Sequence, residues 1–92
     1  MSEFEDKVNA QLQQAKSQIK EIDGLAQGIA SQAEMDTIAS LKNKGQEISK
    51  KFQDLKTSAD TKAKAETLTD LAKLNASLGQ VATTLKSRAA SK

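Results

Sequence analysis

The chain has 92 residues, with 14 Lys or Arg against 12 Asp or Glu, four Gly, and no Pro, Cys, His, Trp or Tyr. That length accommodates one domain, spanning 1–92. The missing Cys excludes disulfides, thiolate metal sites and a thiol nucleophile, and the missing His and Tyr leave catalysis only Ser, Thr, Lys and carboxylates. Ala, Lys, Gln, Glu and Leu dominate, and these residues lose little rotamer freedom in a helix, so the expected fold is all-α.

In the first segment, Val8, Leu12, Ala15, Ile19, Ile22, Ala26 and Ile29 alternate intervals of four and three, which is the a/d spacing of a heptad. Phe4 and Leu25 widen that stripe, and the pattern predicts a helix over about 3–29. Continuing the register past Ile29 would seat Asp36, Ser40 and Asn43 in the seam and turn Ile38 and Leu41 outward, so a single helix cannot run through. Local chemistry agrees. Gly28 can take the left-handed conformation that ends a helix, and Ser31 to Glu34 reads "SQAE", a capping box that starts another. The turn is therefore expected near Gly28 to Ser31, with Gly24 a tolerated residue of the helix interior.

The second stripe, Ile38, Leu41, Gly45, Ile48, Phe52, Leu55 and Ala59 with Met35 beside it, predicts a helix over about 32–57. It carries Lys42, Lys44, Lys50, Lys51 and Lys56. Lys42 and Lys56 take e positions, Lys44 and Lys51 take g, and Lys50 takes f, so four of the five flank the seam. Lysines there commonly pair with acids of a neighbouring helix while their stems cover the core edge; the same five are the candidate surface for a partner. Gly45 leaves a notch in the stripe, for a neighbouring side chain to fill or for a ligand to enter.

At the second junction, "TSADTKAKAE" (Thr57 to Glu66) has no bulky apolar residue. Two readings stand: a helix capped near Asp60 with an exposed first turn, or a linker over 57–66 followed by a cap at Thr67 with Asp70. The third stripe is Leu68, Leu71, Leu74, Leu78, Val81, Leu85 and Ala89, widened by Ala82, and the helix is placed over about 61–90. Gly79, among small residues, is a candidate point for close approach of another helix.

Three stripes of similar length on short connections favour an antiparallel up-down-up three-helix bundle; the alternative is a helical hairpin assembling into a four-helix bundle. Charge is uneven along the chain. Residues 1–36 hold three Lys against seven acids, whereas residues 37–92 hold eleven Lys or Arg against five acids, which favours packing of the first segment on the others. In outline the chain resembles small bundles such as the spectrin-type repeat, yet it is shorter and lacks that family's core Trp; it also lacks the Trp-x-Gly turn of secreted hairpins of similar size.

Function is read by elimination. The carboxylate pairs Glu66 with Asp70 and Glu21 with Asp23 have no third partner, "SLGQ" and "GLAQG" lack the Lys-Ser/Thr of a phosphate loop, and no calcium loop or Glu-x-x-His occurs. The expectation is a non-enzymatic interaction or structural module without cofactor or small-molecule ligand, binding partner helices or itself. The alternative is an amphipathic carrier or surface binder for lipid or an anionic polymer through the Lys-rich second helix. Nucleic acid is disfavoured, since Arg88 is the lone Arg and aromatics for stacking are lacking. A membrane surface is disfavoured by the lack of interfacial Trp. The acidic N-terminus has no basic, apolar leader pattern, and a cytoplasmic location is expected.

Overall fold

The computed structural model describes residues 3–91; residues 1, 2 and 92 of the expected 1–92 domain lie outside the described residues. Three helices, α1 (Glu3–Ala26), α2 (Gln32–Leu55) and α3 (Thr61–Ala90), pack as an all-α three-helix bundle. Contacts fix the direction of each helix. Gln11 meets Asn75 and Glu21 meets Lys86, so α1 and α3 run parallel. Phe4 meets Phe52 while Asp23 meets Lys42, and Gly45 faces Leu74 while Glu34 meets Arg88, so α2 runs antiparallel to both. The result is a rod of 50 × 20 × 16 Å with a radius of gyration of 14.8 Å, above the roughly 12 Å of a compact chain this size.

Helix ends follow from local hydrogen bonding. The first helix stops at Ala26, short of the expected 29, because Gly28 takes a φ of 79° and the chain turns there. The amides of Ile29 and Ala30 both donate to the Ala26 carbonyl, at 3.2 and 3.1 Å, closing the turn. The capping box then forms in full: the Glu34 amide donates to Ser31 Oγ (3.2 Å) and the Ser31 amide to Glu34 Oε1 (2.9 Å).

The second helix ends at Leu55 rather than 57, since the Ser58 amide bonds the Leu55 carbonyl at 3.0 Å and tightens the chain out of the helix. Ala59, expected to close the second stripe, lies exposed in this connection. Asp60 settles the open choice at the second junction. Its Oδ1 accepts the Ala63 amide at 3.0 Å and its own amide donates to Ser58 Oγ at 3.0 Å, so α3 begins at Thr61. Thr67 is then buried inside α3, donating its hydroxyl to the Ala63 carbonyl at 2.9 Å instead of capping.

Gly24, inside α1, and Gly28, in the turn after it, test this account in opposite directions. At Gly24 nothing lies within 4 Å of an added Cβ, so Gly24→Ala is expected to stabilise by about 0.5–1 kcal/mol through helix propensity. Gly28→Ala places a side chain in the left-handed region and is expected to cost about 1–2 kcal/mol. Urea melts of the two variants check both signs; a stabilising Gly28→Ala would refute the placement of the turn.

The core is formed by Val8, Ala15, Ile22 and Ala26 of α1, Ile38, Ile48 and Phe52 of α2, and Leu71, Leu74, Leu78, Ala82 and Leu85 of α3. The last helix packs along both of the others, most extensively along α1, while α1 and α2 touch least. Its buried line includes Thr67 and Asn75, and Leu68 and Val81 sit only half-buried beside it. Rotation of α3 towards α1, the neighbour on which it packs most extensively, explains this. At the end of the bundle holding the α2–α3 connection, the Phe4 and Phe52 rings pack at 5.7 Å and 60°. Lys64 and Lys56 lie over them, at 5.3 and 5.0 Å from the centroids.

Candidate interaction groove

Because α1 and α2 make the weakest pairing, a groove of about 390 Å³ opens between them. Its apolar floor comes from residues that the heptad pattern assigns to the core: Leu12, Ala15 and Ile19 of α1 and Gly45 of α2. Leu12 and Ile19 remain half-buried because the opposing positions are small. A Cβ on Gly45 would stand 3.5 Å from Leu74 Cδ2, so Leu74 fills the notch from inside and the lack of a side chain leaves the outer edge low.

The rim is polar, made by Lys16, Asp23, Lys42, Gln46 and Ser49. Lys42 Nζ lies 2.8 Å from Asp23 Oδ1 and closes one end of the groove. Both side chains are substantially exposed, so the pair adds at most a modest amount to stability.

The five candidate lysines are divided between surfaces. Lys42 lies on the groove, whereas Lys50, at its f position, is exposed further round α2 and does not line it. Lys44 lines a separate depression on the α2–α3 side, with Asp70, Lys73 and Ser77, and Lys51, a heptad further on, is exposed on that side. Lys56 is engaged with the Phe52 ring. Gly79 is half-buried, with Gln18 Nε2 3.7 Å from the position of an added Cβ. The close approach that its small size permits is thus made by α1 of the same chain. Sequence spacing alone cannot separate these lysines, because e and g positions become opposite sides of a helix only once its two neighbours are placed.

Two further constellations escape linear reading. One is a polar layer between α1 and α3. Asn75, 8 % exposed, donates its Nδ2 to the Gln11 carbonyl at 3.1 Å. Among the described residues no donor reaches the buried Asn75 Oδ1, Gln11 Oε1 or Gln18 Oε1.

The other is a clamp at the end of the bundle holding the α1–α2 connection. Arg88 bonds the Ile29 carbonyl at 3.0 Å, Glu34 Oε2 at 2.8 Å, and Glu34 Oε1. The fork of the guanidinium suits a carboxylate engaged through both oxygens, and it ties the C-terminal turn of α3 to the first turn and its cap box. Arg88 and Glu34 are 54 positions apart, so no local motif announces the pair.

Arg88, followed by the Ser31 amide, holds the Glu34 carboxyl down to about 2 from its ordinary 4.5. A depressed folded-state pKa contributes stability that is fully present above about pH 4.5 and disappears as pH falls towards 2. The melting temperature of the wild type is therefore expected to fall through that window, and Glu34→Gln to flatten the fall. Equal acid sensitivity of the two proteins would rule out this linkage.

Among the described residues no group of three or more His, Cys, Asp or Glu is gathered in space, and no helix is long and apolar enough to cross a membrane. No protein-family model, curated protein or solved structure matches the chain.

Proposed function

We propose that the chain is a non-enzymatic helical interaction module whose α1–α2 groove receives an amphipathic helix. The observation that carries this reading is the half-exposed Leu12 and Ile19, one heptad apart, above Ala15 and Gly45, an apolar strip left open along a seam whose heptad spacing suits a further helix. From Leu12 to Asp23 the groove follows α1 for about 16 Å, or three helical turns. A volume of about 390 Å³ falls within the roughly 300–1,000 Å³ range of binding clefts.

The division of the lysines between the two sides of α2 lends no support to a lipid or polymer surface that would need them together. The cysteine-free composition is in keeping with a cytoplasmic setting.

The direct test is an NMR titration with a synthetic amphipathic helix of about four turns bearing Leu at a and d and uncharged Gln at the flanks. Amide shifts concentrated at Leu12, Ile19, Gly45 and Ser49 are the expected result. Shifts spread over the outer face of α3, or none, would defeat the reading.

A further inference from the structure

We infer that the Asp23–Gly24 step is a site of spontaneous backbone isomerisation, where the chain passes to an isoaspartyl linkage through openings of the last turn of α1, at a rate held down by the ion pair with Lys42.

The chemistry begins with the sequence. Asp23 alone precedes a glycine: the other five Asp precede Lys, Thr or Leu, and the three Asn precede Ala or Lys. Glycine has no Cβ to shield its amide nitrogen, so that nitrogen can reach the carboxyl carbon of the residue before it. The Gly24 nitrogen bonds to Asp23 Cγ, while its proton and the hydroxyl of the protonated carboxyl leave as water, giving a five-membered imide. Water then adds to one of the two imide carbonyls. Opening at the side-chain carbonyl restores Asp23. Opening at the main-chain carbonyl routes the backbone through Cγ and frees the former main-chain carbonyl as a carboxylate. One water leaves and one returns, so the mass is unchanged and no co-reactant is consumed.

A closed helix shuts this reaction off. Helical ψ turns the Gly24 amide away from the Asp23 side chain and commits it to the carbonyl four residues earlier. Asp23 stands, however, in the terminal turn of α1, which ends at Ala26. Gly24 lowers the helix propensity of that turn, and the space beside it is open, with nothing within 4 Å of an added Cβ. The turn also carries an acid and no base at the negative end of the helix dipole. It faces α2 across the weakest pairing of the bundle. The Asp23 side chain is 48 % exposed and is held by Lys42 Nζ at 2.8 Å, an exposed pair that restrains it only modestly. Ile22 and Ala26 keep the inner side of the turn in the core, so the closed form dominates and conversion is slow rather than absent.

The product adds a methylene to the main chain inside the helix and takes the carboxylate off the Asp23 side chain. The Ala26 carbonyl that accepts the Ile29 and Ala30 amides is displaced, and Lys42 loses the partner with which it closes one end of the α1–α2 groove.

The test incubates the whole chain for several weeks near neutral pH and body temperature, folded and in urea. The tryptic peptide from Glu21 to Lys42 is then separated into isomers of equal mass, and electron-transfer fragmentation locates the linkage. Isomerisation at Asp23 is expected in the folded chain, on the order of ten-fold more slowly than in urea. Lys42→Met, which keeps the apolar stem and removes the charge, should speed it roughly two- to five-fold in the folded chain and leave the rate in urea unchanged. Gly24→Ala should slow it in both states, on the order of ten-fold in urea, where the added Cβ alone acts.

An isoaspartyl linkage confined to the urea sample, or formed in the folded chain at Asp36 instead of Asp23, would overturn the site. Equal rates for the folded wild type and Lys42→Met would overturn the restraint assigned to the ion pair.

Discussion

Leu78→Ala is expected to lower the stability of the bundle by about 2–5 kcal/mol, the range for emptying a fully buried aliphatic site. Leu78 is 0 % exposed and stands midway along α3, the helix that packs on both of the others. A cavity at that point has little means of collapsing, because the rod is only 20 × 16 Å in section and each helix is already held by its neighbours. For a chain of this length the total stability is on the order of 5–14 kcal/mol, so the loss is a large part of the whole. Leu68→Ala provides the comparison. Leu68 lies on the same predicted stripe but is only half-buried, and its removal is expected to cost about 1 kcal/mol. Urea unfolding of the two variants checks the ranking; similar losses would mean that α3 is not rotated towards α1.

Asn75→Leu is expected to act in the opposite direction, stabilising the fold by about 1–2 kcal/mol, or roughly 4–16 °C in melting temperature. The Asn75 side chain makes a single hydrogen bond, to a Gln11 carbonyl inside α1, and its buried Oδ1 has no donor among the described residues. A half-satisfied buried amide carries a desolvation cost that one neutral hydrogen bond does not offset. The gain in stability is expected to come with a loss of definition. Asn75 is the point at which parallel α1 and α3 are held by a bond that depends on register, and a buried Asn in a helical seam commonly sets register at the expense of stability. Thermal melting together with the dispersion of amide NMR signals reads both effects. A destabilised Asn75→Leu variant would show that its amide is better satisfied than its neighbours indicate.

Much of the fold was legible because its rules are local. The phase slip between Ile29 and Ile38, with Gly28 and the "SQAE" box lying inside it, located the first turn from a dozen residues. Ser31, Glu34 and Gly28 act within one or two turns of one another, and such interactions depend little on the remainder of the chain. The second junction was less legible. Asp60 and Thr67 are both acceptable caps by residue type, and the choice between them depended on whether the turn containing Ala63 could pack against α1; Ala63 and Lys64 are in fact half-buried, with Lys64 over Phe4.

The candidate site was legible only in outline. Gly45 marked a gap in the second stripe, and Lys42 marked the side of α2 that borders the groove. Lys44, Lys51 and Gly79 carried the same signals and lie elsewhere. Arg88 could be seen as the lone Arg, but nothing nearby in the chain indicates that it reaches Ile29 and Glu34.

By itself the sequence determined the helical class and the place of the first turn, and it favoured three helices over a hairpin, because propensity, heptad phase and capping act over intervals of three to seven residues. Only the tertiary structure decided how far each stripe is buried. Burial depends on which neighbour a helix face meets, and unequal packing, close between α3 and α1 and loose between α1 and α2, turned part of a predicted core into an open groove.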